Sequence, residues 1–327
     1  MTFRYDDVTA AAARIAGHTR PLTLCPADPG EFHAAGSAGS AGDTARVWLA
    51  QEFLQHTGSF KARGALNFLS AHRASGTLTD AGVVIASGGN AGLACAWAAA
   101  RHGVPAVVFV PETAPAVKVG RLRALGAEVR QTGTEYAQAQ EASRRYVEET
   151  GALAAHAYDD PLVAAGAGTL MEEVHAALPE LDTVVVAVGG GGLFAGVATA
   201  AREHGVRVLA VEPEHCRALN AAIGAGEPVD VPVDSVAADS LGARRVSGTA
   251  LERALSPDVR SLLVPDEAVA AARRALWDGR RLAVEHAAGT ALAALTSGRY
   301  APEPGERICV VLCGANTDPS DLAGVPA

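Results

Sequence analysis

Short runs of apolar, often β-branched residues alternate along this chain with longer alanine-rich stretches. Such short runs are typical of buried strands, and the alanine-rich stretches favour helices that pack on them. Glycine follows several of the predicted helices, as at Gly103, Gly126 and Gly151, where it suits the backbone of a helix end. The pattern predicts strands at 83–86, 106–110, 127–129, 183–188, 208–211 and 308–312, and helices at 92–102, at 117–125 and in the stretch that ends near 205.

Strands that alternate with helices indicate an α/β protein with mostly parallel sheets. The predicted strands form two sets, so we expect two doubly wound α/β domains. The expected boundaries are 1–77 together with 160–327 for a large domain, and 78–159 for a small one. In this architecture a ligand binds in the crevice at the ends of the strands. The glycine- and serine-rich stretch 36–42 is predicted to be a flexible surface loop.

Composition and charge narrow the classes of function. Of the 327 residues, 49% are hydrophobic and 19% charged, which is typical of a folded globular protein. A formal charge of −9 disfavours a nucleic-acid partner, because phosphate binding needs a basic surface. No apolar run is long enough to span a membrane and the N-terminus has no signal-peptide pattern, so we expect a cytoplasmic protein. The five scattered cysteines suit reduced thiols, and a homodimer is the expected assembly.

Lysine is rare in this chain, where only Lys61 and Lys118 occur beside many arginines. Arginine stays protonated and cannot condense with an aldehyde, whereas a lysine with a lowered pKa can form an imine or act as a base. Lys61 lies in segment 57–65, TGSFKARGA, in which Gly58 and Ser59 are predicted to begin a helix that carries Lys61 in its first turn. Lys61 is therefore a candidate Schiff-base residue, although the segment alone also fits an ordinary surface lysine.

Two glycine-rich junctions between a predicted strand and a predicted helix are candidate binding loops. Residues 87–92, SGGNAG, would bring backbone N–H groups to a carboxylate, and Asn90 would add a neutral hydrogen bond to an oxygen. The run Gly189, Gly190, Gly191, Gly192, followed by Leu193, would wrap N–H groups around a phosphate.

Both loops leave alternatives open. The first also fits a simple turn between a strand and a helix. The second keeps dinucleotide binding as a weak alternative, because Glu212 follows about twenty residues later. A third junction, 312–316, ends the last predicted strand and contains Cys313. A thiol there would meet a heteroaromatic nitrogen without placing a charge beside it, although such a cysteine is more often a small buried hydrophobe.

Taken in chain order, these segments resemble the fold type II (tryptophan synthase β-like) pyridoxal-phosphate enzymes, and within them the serine/threonine dehydratase (threonine ammonia-lyase) family. The resemblance runs over nearly the whole chain and implies pyridoxal 5′-phosphate as cofactor, with Lys61 as the catalytic residue that binds it. It implies further cofactor contacts from Phe60 beside the ring, Asn90 at the phenolic oxygen, Gly189, Gly190, Gly191, Gly192 and Leu193 at the phosphate, and Cys313 at the pyridine nitrogen. The substrate carboxylate would lie against Ser87, Gly88, Gly89 and Asn90.

The implied activity is that of a lyase, which eliminates the hydroxyl group of a β-hydroxy amino acid such as L-threonine or L-serine to give a 2-oxo acid and ammonia. A serine racemase, a β-replacement enzyme of the same fold and a non-catalytic amino-acid-binding relative are the alternatives. Racemising relatives carry a second serine at the position of Gly88, as the acid/base on the ring face opposite the lysine, so its absence favours elimination. Ala91 after Asn90 disfavours β-replacement.

Cation binding and substrate identity stay open. Glu212 resembles the first carboxylate of a divalent-cation site in some relatives, but Ala218 stands where those relatives carry an aspartate. Neither a divalent nor a monovalent cation is therefore assigned. Glu285 resembles a family position near the cofactor ring, and we give it a supporting role. Residues 239–245 are predicted to lie near the cofactor, where they would tune the choice among β-hydroxy amino acids.

Overall fold

The computed structural model describes residues 3–32 and 45–323, and the loop predicted at 36–42 lies outside them. The strands are β1 (Leu24–Pro26), β2 (Arg46–Ala50), β3 (Val83–Ala86), β4 (Ala106–Val110), β5 (Glu128–Gln131), β6 (Leu153–Ala154), β7 (Thr183–Ala187), β8 (Arg207–Pro213), β9 (Val259–Val264) and β10 (Arg307–Val311). They form two sheets. The first has the order β1-β2-β10-β7-β8-β9 and the second the order β5-β4-β3-β6.

The helices cover these sheets. They are α1 (Tyr5–Ile15), α2 (Lys61–Ala74), α3 (Asn90–His102), α4 (Ala116–Ala124), α5 (Tyr136–Thr150), α6 (Pro161–Ala177), α7 (Gly192–Glu203), α8 (Ala218–Ala225), α9 (Ala238–Leu241), α10 (Gly248–Ala254), α11 (Asp266–Arg280), α12 (His286–Thr296) and α13 (Ser320–Ala323). Two 3₁₀ turns lie at Glu52–Leu54 and His56–Gly58. In the part of the chain that the structure describes, no helix combines the length and apolarity that a membrane crossing needs.

Parallel pairing dominates both sheets, as the sequence predicts. The one antiparallel pair among the described strands is β1 with β2. Helices α7 and α12 pack against β7 and β8, and every residue of β7 is buried. A parallel strand covered on both faces has no solvent side, which is why this segment is a continuous apolar run rather than an alternating one.

The sequence pattern located six of the ten described strands and missed four, of which β1, β6 and β9 are edge strands and β2 is an interior strand. Strands β3 and β4 have the predicted bounds, and β5, β7, β8 and β10 differ by one or a few residues. Strands β1, β2, β6 and β9 were not predicted, because they are very short, follow the serine- and glycine-rich stretch, or mix arginine and serine with leucine. The second sheet lies wholly within 78–159, and the domain boundaries themselves stay a prediction.

Candidate active site

The segment that carries Lys61 is fixed by pairing with the end of the last strand. Ser59 is extended and bridges Gly314, and the Phe60 N–H donates to the Cys313 carbonyl at 3.0 Å. Helix α2 therefore begins at Lys61 itself, and the prediction that Gly58 and Ser59 begin it is wrong. The extended bridge to Gly314 uses the backbone of these residues, which excludes them from the helix.

The Lys61 amine lies beside mainly apolar side chains. Its Nζ donates to the Ala157 carbonyl at 2.8 Å and lies 4.8 Å from the centre of the Phe60 ring. A cavity of about 20 Å³ beside it is lined mainly by apolar side chains, among them Phe68, Leu69 and others from α2 and α3. Burial lowers the pKa of Lys61 to about 8, against the smaller opposing effect of the nearby Cys313 and Glu285 side chains. An amine of this kind is neutral for a larger share of the time and can act as a nucleophile or base.

A buried ion network holds the first turn of α2. Arg63 is fully buried, and its guanidinium donates to Glu52 at 2.5 Å and to Glu173 at 2.5 Å. Glu52 lies in the 3₁₀ turn before the lysine segment and Glu173 on α6. Breaking one partner of such a network leaves an uncompensated buried charge, which typically costs ~3–5 kcal/mol. The network therefore restricts where the Lys61 backbone can lie.

The loop 87–89 joins β3 to α3 at the carboxyl end of the second sheet. The Gly89 N–H donates weakly to the Ser87 hydroxyl at 3.4 Å, and the Gly88 N–H has no acceptor among the described residues. A Cβ on Gly89 would meet no atom within 4 Å. The loop therefore borders open space, and the N–H groups of the first turn of α3 face it without intrahelical partners.

Asn90, the first residue of α3, joins the loop to the first sheet. Its amide nitrogen donates to both carboxylate oxygens of Glu285, at 2.8 and 3.0 Å, and its amide oxygen accepts from Asn316 at 2.7 Å. The Asn316 backbone N–H donates to Glu285 at 2.9 Å. Glu285 is only 5% exposed, and burial raises the pKa of its carboxyl despite these donors. Sequence analysis assigned Asn316 no role, because its partners lie far apart in the chain.

The glycine run 189–192 joins β7 to α7, and three of its glycines have no room for a side chain. A Cβ on Gly192 would lie 2.9 Å from the Tyr158 carbonyl oxygen. A Cβ on Gly190 would lie 2.3 Å from the Tyr158 ring. Gly191 has a φ of +94°, and its Cβ would lie 2.4 Å from the Ala250 Cβ. Among the described residues, no hydrogen bond uses the N–H groups of Gly189, Gly190 or Gly191. Free N–H groups at the start of a twelve-residue helix form an anion-binding cradle.

Two predicted residues contribute to the site in restricted ways. The Leu193 side chain is buried in the core, so only its backbone is available to a ligand. Cys313 is 4% exposed, and burial raises the pKa of its thiol far above the ordinary value, with the Glu285 carboxylate adding to the effect. The thiol therefore stays neutral, as predicted from its small size and weak donor character.

Tyr158 is a site residue that the sequence did not reveal. Its ring covers Gly190, and its hydroxyl donates to the Arg245 carbonyl at 3.1 Å. Arg245 belongs to segment 239–245, and Leu241 of the same segment lies against Gly189. This part of the chain therefore borders the glycine run 189–192, and its position near the cofactor stays a prediction. No periodicity marks a single aromatic residue in a loop.

Glu212, the weak candidate for a cation ligand, is engaged elsewhere. Its buried carboxylate accepts from the N–H groups of Leu219 and Asn220, at 2.7 and 2.8 Å, in the first turn of α8. Burial raises its pKa to about 8, against the effect of these two donors. In the described ranges, no group of three or more histidine, cysteine, aspartate or glutamate side chains is arranged to hold a metal ion.

The groups gathered at the crevice fit pyridoxal phosphate. An amine of lowered pKa, a cradle of free N–H groups and a neutral thiol are the donors that an aldehyde, a phosphate and a ring nitrogen require. The hydroxyl oxygens of Thr57 and Ser59 are buried and have no hydrogen-bond partner among the described residues. Buried polar atoms without partners indicate a site that a polar ligand completes.

Comparison with known proteins agrees with this chemistry. The family model described as "Pyridoxal-phosphate dependent enzyme" matches residues 34–314. The L-threonine ammonia-lyase of Geobacter sulfurreducens is 39% identical over 284 residues, which cover 85% of this chain and 69% of that protein. The human protein named serine dehydratase-like is 36% identical over 282 residues, which cover 83% of this chain and 85% of that protein.

A solved structure shows the same fold over the full length. The structure of maize serine racemase superposes with a TM-score of 0.86 at 27% identity, covering 99% of this chain and 96% of that one. The predicted fold type II architecture is thereby confirmed. Because the family model and relatives of this identity cover most of the sequence, the chain belongs to the family of pyridoxal-phosphate dependent enzymes.

Proposed function

We propose that this chain catalyses the β-elimination of a 3-hydroxy amino acid, L-threonine or L-serine, to a 2-oxo acid and ammonia. The observation that carries the proposal is the Lys61 amine, with its pKa lowered to about 8, in a crevice shared by two glycine-rich loops. The similarity to an L-threonine ammonia-lyase and to a serine dehydratase-like protein supports this class of substrate.

Two different sets of residues would bind the two anionic groups, the cofactor phosphate and the substrate carboxylate. The N–H groups of Gly189–Gly192 and Leu193 would hold the cofactor phosphate, and Phe60, Asn90 and Cys313 would contact its ring. Ser87, Gly88, Gly89 and Asn90 hold the substrate carboxylate by N–H and amide donors. Bound pyridoxal phosphate supplies an aldehyde that captures an amino group and a ring that accepts the electrons of the Cα–H bond.

Lys61 moves the proton in this scheme. Its amine would accept the Cα proton of the bound amino acid at Nζ, for which a pKa near the working pH is the best match. The apolar wall formed by α2 and α3 lines the cavity beside this nitrogen. Glu285 positions Asn90 through two hydrogen bonds and is itself buried away from the solvent.

Racemisation is the second reaction to test, since maize serine racemase shares the fold. It needs an acid/base on the substrate face opposite Lys61. Gly88 offers no side chain there, and a Cβ at this position would already lie 3.3 Å from Val110 Cγ1. Elimination needs no second base, so the loop favours it.

The test is a visible absorption spectrum of the purified protein followed by turnover assays. We expect a cofactor band in the wild type, release of equal amounts of 2-oxo acid and ammonia from L-threonine or L-serine, and loss of both in Lys61→Ala and Lys61→Arg. A band with D-serine as the product would favour a racemase instead. A protein that takes up no cofactor would overturn the proposal.

We also propose that the protein acts in the cytoplasm as a homodimer, without nucleic-acid or membrane partners. The acidic composition and the lack of a membrane-crossing helix among the described residues support this. Sedimentation velocity across a concentration series checks the assembly, and a monomer at all concentrations would contradict it.

A further inference from the structure

One ion pair joins the two sheet regions. Lys118 Nζ lies 2.5 Å from Asp239 Oδ1, although the two residues are 121 positions apart. Lys118 belongs to α4, which packs on α3 and β5 of the second sheet, and Asp239 to α9, which packs on α12 beside the first. The contact therefore joins elements that are otherwise packed on different sheets.

This pair differs from the other ion pairs of the described residues. Those of the second-sheet region, Arg130 with Glu128 and Arg144 with Glu141, stay within that region. The remaining ones join residues that lie outside 78–159. In residues 3–32 and 45–323, the pair of Lys118 and Asp239 is thus the one ion pair that joins a residue within 78–159 to a residue outside that range.

The short helix α9 places Asp239 next to the site. Leu241 packs against Gly189 of the phosphate loop, with its Cα 3.1 Å from where a Gly189 Cβ would lie. Ser240 accepts a hydrogen bond from the Ala287 N–H at 3.2 Å, two residues after Glu285. A displacement of α4 from α9 would therefore open the crevice between the phosphate loop and the second sheet.

We propose that Lys118 and Asp239 are positioning residues whose ion pair holds α4 against α9 and so favours the closed crevice in which the amino acid is bound. The side chains are 35% and 69% exposed, so salt screens their attraction. An exposed pair of this kind changes an equilibrium by up to about fivefold. A ligand that binds only the closed form loses apparent affinity in proportion to the population of that form.

Kinetics of the holoenzyme with L-threonine test this, and this arm rests on the proposed function. We expect Lys118→Met and Asp239→Asn each to raise KM by about two- to fivefold and to change kcat by less than about twofold. High salt should raise KM of the wild type toward that of the variants and leave the variants nearly unchanged. Arg144→Met, which breaks an exposed pair within one sheet region, is the matched control and should leave KM unaltered.

Two further measurements separate positioning from loss of structure. The charge-reversed double variant, Lys118→Asp with Asp239→Lys, should restore KM to within about twofold of the wild type. Hydrogen exchange of the substrate-free holoenzyme should be faster in 116–124 and 189–192 in each single variant and normal in the double variant. Unchanged exchange in the single variants, or a double variant worse than either, would overturn the proposal. The exchange result stands even if no 3-hydroxy amino acid is turned over, so failure of the proposed function is seen separately.

Discussion

The loops 87–90 and 189–192 look alike in sequence but use glycine for different physical reasons. Each follows a buried parallel strand and opens a helix. In the second loop, Gly190 and Gly191 face the Tyr158 ring and Ala250 at distances that exclude a Cβ. In the first loop, Gly89 faces nothing within 4 Å. Packing therefore requires glycine at 190 and 191, whereas at Gly89 the missing side chain leaves room for a ligand.

The largest effect is expected from Gly191→Ala. An alanine there combines a left-handed backbone with a Cβ that meets Ala250, which together cost ~3 kcal/mol in the free energy of unfolding. Because the loop must move to relieve the clash, cofactor affinity should fall by about 100-fold or more. Absorbance titration of the apoprotein with pyridoxal phosphate and chemical denaturation measure both quantities. A variant that binds cofactor normally would show that packing does not dictate this loop.

Gly89→Ala should leave the stability nearly unchanged, in contrast to Gly191→Ala, and should weaken substrate binding. Its Cβ enters open space, so the free energy of unfolding should change by less than about 0.5 kcal/mol, as at other sites without a clash. The methyl group would occupy space proposed for the substrate carboxylate, and KM for L-threonine should rise by about tenfold. Steady-state kinetics beside a denaturation curve is the measurement. Equal loss of stability in Gly89→Ala and Gly191→Ala would remove the contrast between the loops.

The sequence predicted the parts of the site that depend on local pattern. The alternation of apolar runs located β3, β4 and β7, and thereby both loops that follow β3 and β7. The rarity of lysine singled out Lys61, since no other residue type offers its chemistry. What the sequence could not show are contacts between distant segments. Tyr158 over Gly190, Asn316 between Asn90 and Thr57, and the bridge from Ser59 to Gly314 each depend on the tertiary arrangement.

The pKa of Lys61 provides a test that is independent of either loop. Burial in the apolar wall, rather than a charge in a loop, lowers this pKa from 10.5 to about 8. Between these values the unfolded chain binds a proton that the folded apoprotein does not, so the free energy of unfolding should rise as pH increases through this window. Below about pH 8 Lys61 is protonated in both the folded and the unfolded chain, and the buried charge destabilises the folded state to its full extent.

With only two lysines, the titration can be read directly. Reductive methylation with ¹³C-formaldehyde labels both lysine amines and any free N-terminal amine, and the resonance absent from Lys61→Ala belongs to Lys61. We expect its midpoint near pH 8 in the wild-type apoprotein and in Gly89→Ala alike, because neither changes the apolar wall. A midpoint at the ordinary lysine value would show that water reaches the amine.

The smallest effect is expected from a substitution at Cys313, which lies in the third junction, 312–316. Cys313 is a small neutral donor in a buried position, and serine keeps both properties. Cys313→Ser should therefore change kcat/KM for L-threonine by less than about threefold and leave cofactor affinity intact.

Cys313→Asp is the contrasting variant, since it would bury a second carboxyl near Glu285, whose own pKa is already raised by burial. We expect the aspartate variant to lose cofactor and stability together, by several kcal/mol if the new carboxylate is charged and unpaired. If both variants behaved alike, the side chain at this strand end would not touch the cofactor, and the assignment of Cys313 to the ring nitrogen would be wrong.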